Sequence, residues 1–129
     1  MLFWKGDMQL MKKEILVVDD QPGICMLLTD ILTSEGYHVE TAKTGKEGLD
    51  KINNSSFHLL MIDYKLPIFN AFEVLRRMEA ENRIVPTILM SGMTEDDIRE
   101  KEDCSKIESV LSKPFNIHEV CKLVKATIG

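Results

Sequence analysis

Apolar residues in this chain recur in two rhythms. Short unbroken runs stand at residues 14–18 (EILVV), 59–62 (LLMI) and 86–90 (PTILM), each ending against polar residues. Runs of this length between turn signals read as strands buried on both faces, as inside a parallel sheet. Two weaker segments, 37–41 and 110–111, bring the strands to five. The stretches between them carry apolar residues three and four apart, the helical rhythm. Residues 24–35 run up to Gly36, a natural C-cap, and 44–53 open on a capping box, Thr44-Gly45-Lys46-Glu47. Residues 71–81 place Phe72, Leu75 and Met78 on one face. Thr94 caps an acidic helix at 95–103, and Asn116 with Glu119 caps a last one at 117–128.

Strands that alternate with helices imply βαβ units and a parallel sheet. The predicted class is α/β: a flavodoxin-like, doubly wound sheet of five parallel strands in the order 2-1-3-4-5, with five helices. At 129 residues the chain makes one domain with one core. Residues 1–11 (MLFWKGDMQLM) precede the first strand and read as a flexible leader, leaving 12–129 as the domain. The apolar part of that leader stops at Trp4, too short for a signal or membrane segment. A composition of 44% apolar and 29% charged residues is that of a globular protein, expected in the cytoplasm and off the membrane. The net charge of −5 argues against nucleic-acid binding. Cys25, Cys104 and Cys121 show no CxxC spacing and read as reduced, packed thiols.

The polar residues at the strand ends change the picture. In open α/β sheets, ligands bind outside the carboxyl ends of the strands. The first strand delivers Asp19 and Asp20 there, the third Asp63, the fourth Ser91 and the fifth Lys113. Taken singly, each is an ordinary loop residue. Together, three carboxylates would repel one another without a cation, and a hard divalent ion such as Mg²⁺ answers that need. Lys113 adds a point charge and Ser91 a hydroxyl, partners suited to a phosphoryl group. A carboxylate can itself act as nucleophile and form an acyl phosphate. The chemistry implied is phosphoryl transfer onto Asp63.

With these residues in place, the chain resembles a two-component response-regulator receiver domain, from about Lys12 to the end. The shared motifs are Asp19-Asp20, the block Asp63-x-x-Leu66-Pro67, Ser91, and Lys113-Pro114. Within that CheY-like family, the stretch ILVVDDQPGICMLLTDILTSEGY, Lys65 and the ending KPF are most similar to single-domain regulators of bacterial sporulation phosphorelays. The resemblance implies that Asp63 is the phosphoacceptor. It implies a Mg²⁺ site (with Mn²⁺ as a substitute) built from Asp20, Asp63 and the backbone carbonyl of Lys65, Asp19 acting through water. Lys113 and Ser91 would contact the phosphoryl group, with the backbone N–H groups of Lys65 and Gly92. The Lys113–Pro114 bond would be cis, presenting Phe115 nearby. Implied partners are a sensor histidine kinase as donor, a histidine phosphotransferase as acceptor, and a phosphatase.

Four positions depart from the family pattern. Val110 stands where many receivers carry an aromatic or His switch residue, Ala71 where a glycine is common, and Lys106-Ile107 where Gly-Ala is usual. A loop with Ala71 must avoid positive φ there. On the helix from Ile24, apolar side chains span roughly 160° at about 100° per residue, more than the ~100° stripe a sheet covers. Gln21, Pro22, Gly23, Ile24 and Leu27, with Pro114 and Phe115, form the expected docking patch for a partner helix bearing a phosphohistidine. His38, His58 and His118 are scattered without ligand spacing and read as surface or strand-edge residues. No output domain is read after Gly129, so the expectation is a stand-alone regulator. The alternatives are a receiver that modulates a target as chemotaxis regulators do, or a phosphorylation-independent interaction module. A Mg²⁺-dependent phosphatase would need an acid two residues past the nucleophile, where Lys65 stands. The chain therefore reads as a phosphoacceptor and not an enzyme.

Overall fold

Ile15, Leu16, Val17 and Val18 have no solvent exposure, which is why so short a segment forms a strand at the centre of a sheet. The structure, a computed structural model, describes residues 12–129. The expectation for residues 1–11 therefore lies outside the described residues. The elements run β1 (Glu14–Val18), α1 (Pro22–Ser34), β2 (His38–Ala42), α2 (Gly45–Asn54), β3 (Leu59–Asp63), α3 (Ala71–Ala80), β4 (Thr87–Ser91), α4 (Glu95–Lys101), β5 (Ser109–Ser112) and α5 (Ile117–Ile128). All strand pairs are parallel and the order is β2-β1-β3-β4-β5, as the alternation of patterns predicts.

The pleat sends successive side chains to opposite faces, so the buried strands feed two cores. Leu16, Val18, Leu60, Ile62 and Leu89 pack with α2, α3 and α4 through Leu49, Ile52, Phe72, Leu75 and Ile98. Ile15, Val17, Leu59, Met61 and Ile88 pack on the other face with α1 and α5 through Leu28, Leu32, Val120 and Val124.

Local signals explain where the helices begin and end. The first helix starts two residues earlier than its apolar pattern suggests, because Pro22 occupies a first-turn position where its missing N–H costs nothing. It ends as the glycine predicts: Gly36 has φ +94°, its N–H donates to Thr33, and the Tyr37 N–H donates to Leu32. That pair of bonds is a Schellman motif. The same motif closes α3, with Asn82 at φ +57° in the glycine's place. Thr44, Asn70, Thr94 and Asn116 each accept a hydrogen bond from a first-turn N–H. The capping box of α2 differs in one respect: Glu47 reaches back to the N–H of Lys43 (2.9 Å), one residue before the cap. The acidic helix stops at Lys101 and not at residue 103, and a short 3₁₀ turn, Cys104–Lys106, follows it.

Candidate functional site

Backbone pairing carries each strand-end residue into position. Just past β1, the Asp19 N–H donates to the Ala42 carbonyl at 3.0 Å. Asp63 closes β3 opposite Met90, and the next N–H, of Tyr64, donates to the Met90 carbonyl at 2.9 Å. Ser91 closes β4, and its carbonyl accepts from the Lys113 N–H at 2.7 Å. Asp19, Asp63, Ser91 and Lys113 thus meet along one edge of the sheet. The cis Lys113–Pro114 bond that the resemblance implies is present.

Lys113 Nζ lies 2.8 Å from Asp19 Oδ2 and 3.1 Å from Asp63 Oδ1. Asp19 is fully buried, and its other oxygen accepts from the Gln21 N–H at 2.9 Å. Asp20 is exposed and completes a set of three carboxylates whose oxygens lie within 4.8 Å of one another. Unit charges no farther apart than 4.8 Å repel by about 3 kcal/mol or more per pair at an effective dielectric constant of ~20. One ammonium cannot offset three such carboxylates, so the donor set fits a hard divalent cation with oxygen ligands. Burial raises the Asp63 carboxyl above its usual range, the bond from Lys113 opposes that rise, and Asp19 and Asp20 add to it. For Lys113, burial works to lower the ammonium, but the bonds to Asp19 and Asp63 prevail and hold it above its usual range.

Above the acids opens a cleft of about 430 Å³, lined by Asp20, Asp63, Lys65, Ser91, Gly92 and Met93 among others. Ser91 is buried, and its Oγ accepts from the Met93 N–H at 2.9 Å. Gly92 is at the rim, with open space where a Cβ would stand. The patch expected around α1 divides. Gln21, Pro22, Gly23 and Leu27 are exposed, Ile24 is half-buried, Pro114 is exposed and Phe115 packs partly against the core.

Some features escaped the sequence reading. Met26 is 68% exposed; at about 100° per residue it lies roughly 160° round α1 from Ile24, outside the apolar stripe. Tyr64 lies edge-on to Phe72 and donates from its hydroxyl to Glu102 at 3.1 Å, a contact that only the packing of α4 creates. Ala71 is the buried first residue of α3, and the positive φ of that loop falls on Ile68, at +69°. Val110 is half-buried against the core on the α3 and α4 face. His38, read as an isolated strand-edge residue, stands beside Glu14 and Glu40.

A parallel sheet in the order 2-1-3-4-5 with acids and a lysine at its carboxyl edge is the architecture of signalling receivers. The chain belongs to the response regulator receiver domain family, whose model matches residues 15–125. It is 33% identical over 117 residues to sporulation initiation phosphotransferase F of Bacillus subtilis, covering 90% of this chain and 94% of that protein. It is also 33% identical to response regulator RR06 of Streptococcus pneumoniae, over 88% of this chain but only 52% of that longer protein. Among solved structures it is similar to the Thermotoga maritima response regulator TrrA in complex with Mg²⁺-BeF, with a TM-score of 0.80 and 30% identity over 89% of this chain and 98% of that one. No helix among the described residues is long and apolar enough to cross a membrane.

Proposed function

We propose that this protein is a phosphoacceptor of a two-component phosphorelay. It takes a phosphoryl group onto Asp63 from the phosphohistidine of a sensor kinase and passes it to a histidine phosphotransferase. The observation that carries this reading is the Lys113 ammonium seated between Asp19 and Asp63, with Asp63 itself lining an open cleft. An Asp63 oxygen attacks phosphorus as the phosphorus–nitrogen bond breaks. The electron pair stays on the imidazole, and the product is an acyl phosphate. Lys113, already 3.1 Å from Asp63, follows the incoming oxygens, and Ser91 and the backbone N–H groups of Lys65 and Gly92 line the receiving side. Asp20, Asp63 and the Lys65 carbonyl would hold Mg²⁺, with Asp19 acting through water, and the ion would supply the positive charge that the three carboxylates and the phosphoryl oxygens require. The complex of the Thermotoga relative with Mg²⁺-BeF supports this assignment.

A relay is favoured over target modulation by Val110. A half-buried aliphatic side chain offers no ring to swing between buried and exposed positions, whereas relay chemistry needs only an accessible acceptor. The near full-length match to a sporulation phosphotransferase points the same way. The docking surface is the apolar flank of α1 with Pro114 and Phe115. The reading is tested by intact mass after incubation with Mg²⁺ and a small-molecule phosphodonor. A Mg²⁺-dependent gain of one phosphoryl group in wild type, absent in Asp63→Asn, is the expected result. No gain in a folded wild type, even with a phosphohistidine donor, leaves an interaction module without phosphoryl chemistry.

A further inference from the structure

A second cluster of metal-ligating groups lies at the opposite end of β1 from the acids of the cleft. Parallel pairing sets Glu14 of β1 directly beside His38 of β2. Glu40 follows His38 by two residues, so the pleat returns it to the same face. That face is the one that Leu16, Val18 and Ala42 share beneath α2. One ligand atom each from Glu14, His38 and Glu40 falls within 4.8 Å of the others. His38 Nδ1 and Glu14 Oε1 are 2.6 Å apart, close enough to share a proton.

We propose that Glu14, His38 and Glu40 form a second cation site, specific for a divalent transition ion of the zinc type. An imidazole nitrogen with two carboxylates suits such an ion, whereas an all-oxygen set such as that of the cleft suits Mg²⁺. Three protein ligands leave a fourth position for water. Bonds of ~2.0–2.1 Å to a tetrahedral ion place ligand atoms about 3.3 Å apart. The side chains reach that spacing by torsion alone, since His38 is exposed and both glutamates are half-exposed. The ion takes the place of the hydrogen bond between His38 Nδ1 and Glu14 Oε1.

Among the described residues, the lysine paired with this cluster is already engaged. Lys51 on α2 donates to the Thr41 carbonyl at 2.9 Å, and its distance of 3.6 Å to Glu40 makes a weak ion pair. Removing Lys51 frees Glu40 and withdraws a repelling charge. Five residues at ~3.3 Å each separate Glu14 from Asp19, about 16 Å, so an ion here leaves the cleft open. The site stands whether or not Asp63 is a phosphoacceptor.

The test titrates reduced, EDTA-stripped protein with Zn²⁺ against a colorimetric chelator, in excess Mg²⁺ so that the acids of the cleft are occupied. One equivalent of Zn²⁺ is expected to bind. His38→Ala and Glu40→Gln each weaken it about tenfold or more, since even outer-shell partners are worth 10–100-fold. Lys51→Met tightens it, an outcome that structural damage does not mimic, and His118→Ala leaves it unchanged. Affinity unaltered by His38→Ala, or lost in Asp63→Asn, overturns the site. So does the absence of bound Zn²⁺.

Discussion

Lys113 and Asp19 stand 94 positions apart in the chain and 2.8 Å apart in space, the aspartate fully buried and the lysine side chain 18% exposed. Breaking a buried pair by removing one partner costs more than the pair contributes, because the other charge is left without compensation. Lys113→Met is expected to lose about 3 kcal/mol in urea denaturation with chelator present. Added Mg²⁺ recovers part of that loss. A variant as stable as wild type would mean that the Lys113–Asp19 pair contributes nothing to stability.

Asp63 runs the other way. Its folded pKa is raised, chiefly by burial, so the folded state holds the proton more tightly than the unfolded chain. Its favourable contribution is complete below the unfolded pKa and is lost as pH rises through the folded one. At neutral pH the ionised group destabilises the metal-free protein. Asp63→Asn should therefore raise the melting temperature in EDTA by roughly 3–5 °C, the scale of ~1 kcal/mol in a chain of this size. The gap between the two proteins should widen from pH 4 to pH 7 and narrow when Mg²⁺ is added. Thermal scans across that range decide it.

Gly45 opens α2 against the loop that leads from β3 to α3. A Cβ there would stand 2.8 Å from the Phe69 carbonyl oxygen and 2.9 Å from Val74 Cγ2. Backbone and a packed branched side chain yield little, so Gly45→Ala is expected to cost about 1–3 kcal/mol. Gly23→Ala meets nothing within 4 Å in the first turn of α1, and its stability should match or exceed wild type. Paired denaturation curves compare them.

Ile24 is half-buried on the flank of α1 that carries exposed Leu27. Ile24→Asp should slow phosphotransfer from a cognate kinase tenfold or more, on the scale of ~1.4 kcal/mol of lost binding. Phosphorylation by a small donor should be unchanged. An unaltered rate with the kinase would remove α1 from the docking surface.

Lys65 is exposed and Met93 half-buried at the mouth of the cleft, and neither is an acid or amide that orients an attacking water. A long-lived phosphoaspartate is expected, as suits a relay. Lys65→Glu or Lys65→Asn should shorten its lifetime, measured by loss of the phosphorylated mass. Rapid hydrolysis that ignores residue 65 would contradict this.

What could be read from the amino acids alone follows from the locality of the signals. An apolar run ending in aspartate needs no partner to be recognised, so the strand ends at Asp19, Asp63 and Ser91 were legible, and with them the edge on which they converge. Thr44, Thr94 and Asn116, all read as caps, do cap helices within three residues of themselves. Tertiary structure decided the rest, because those features depend on register between segments far apart in sequence. Only the pairing of β1 with β2 sets Glu14 beside His38, and a slip of one residue would turn them to opposite faces. The burial of Asp19 under Lys113, the hydroxyl of Tyr64 on Glu102 and the close approach of Gly45 to Phe69 are likewise contacts between distant segments. Local pattern settles which residues end a strand. Which residues then touch is settled by the order and register in which the strands assemble.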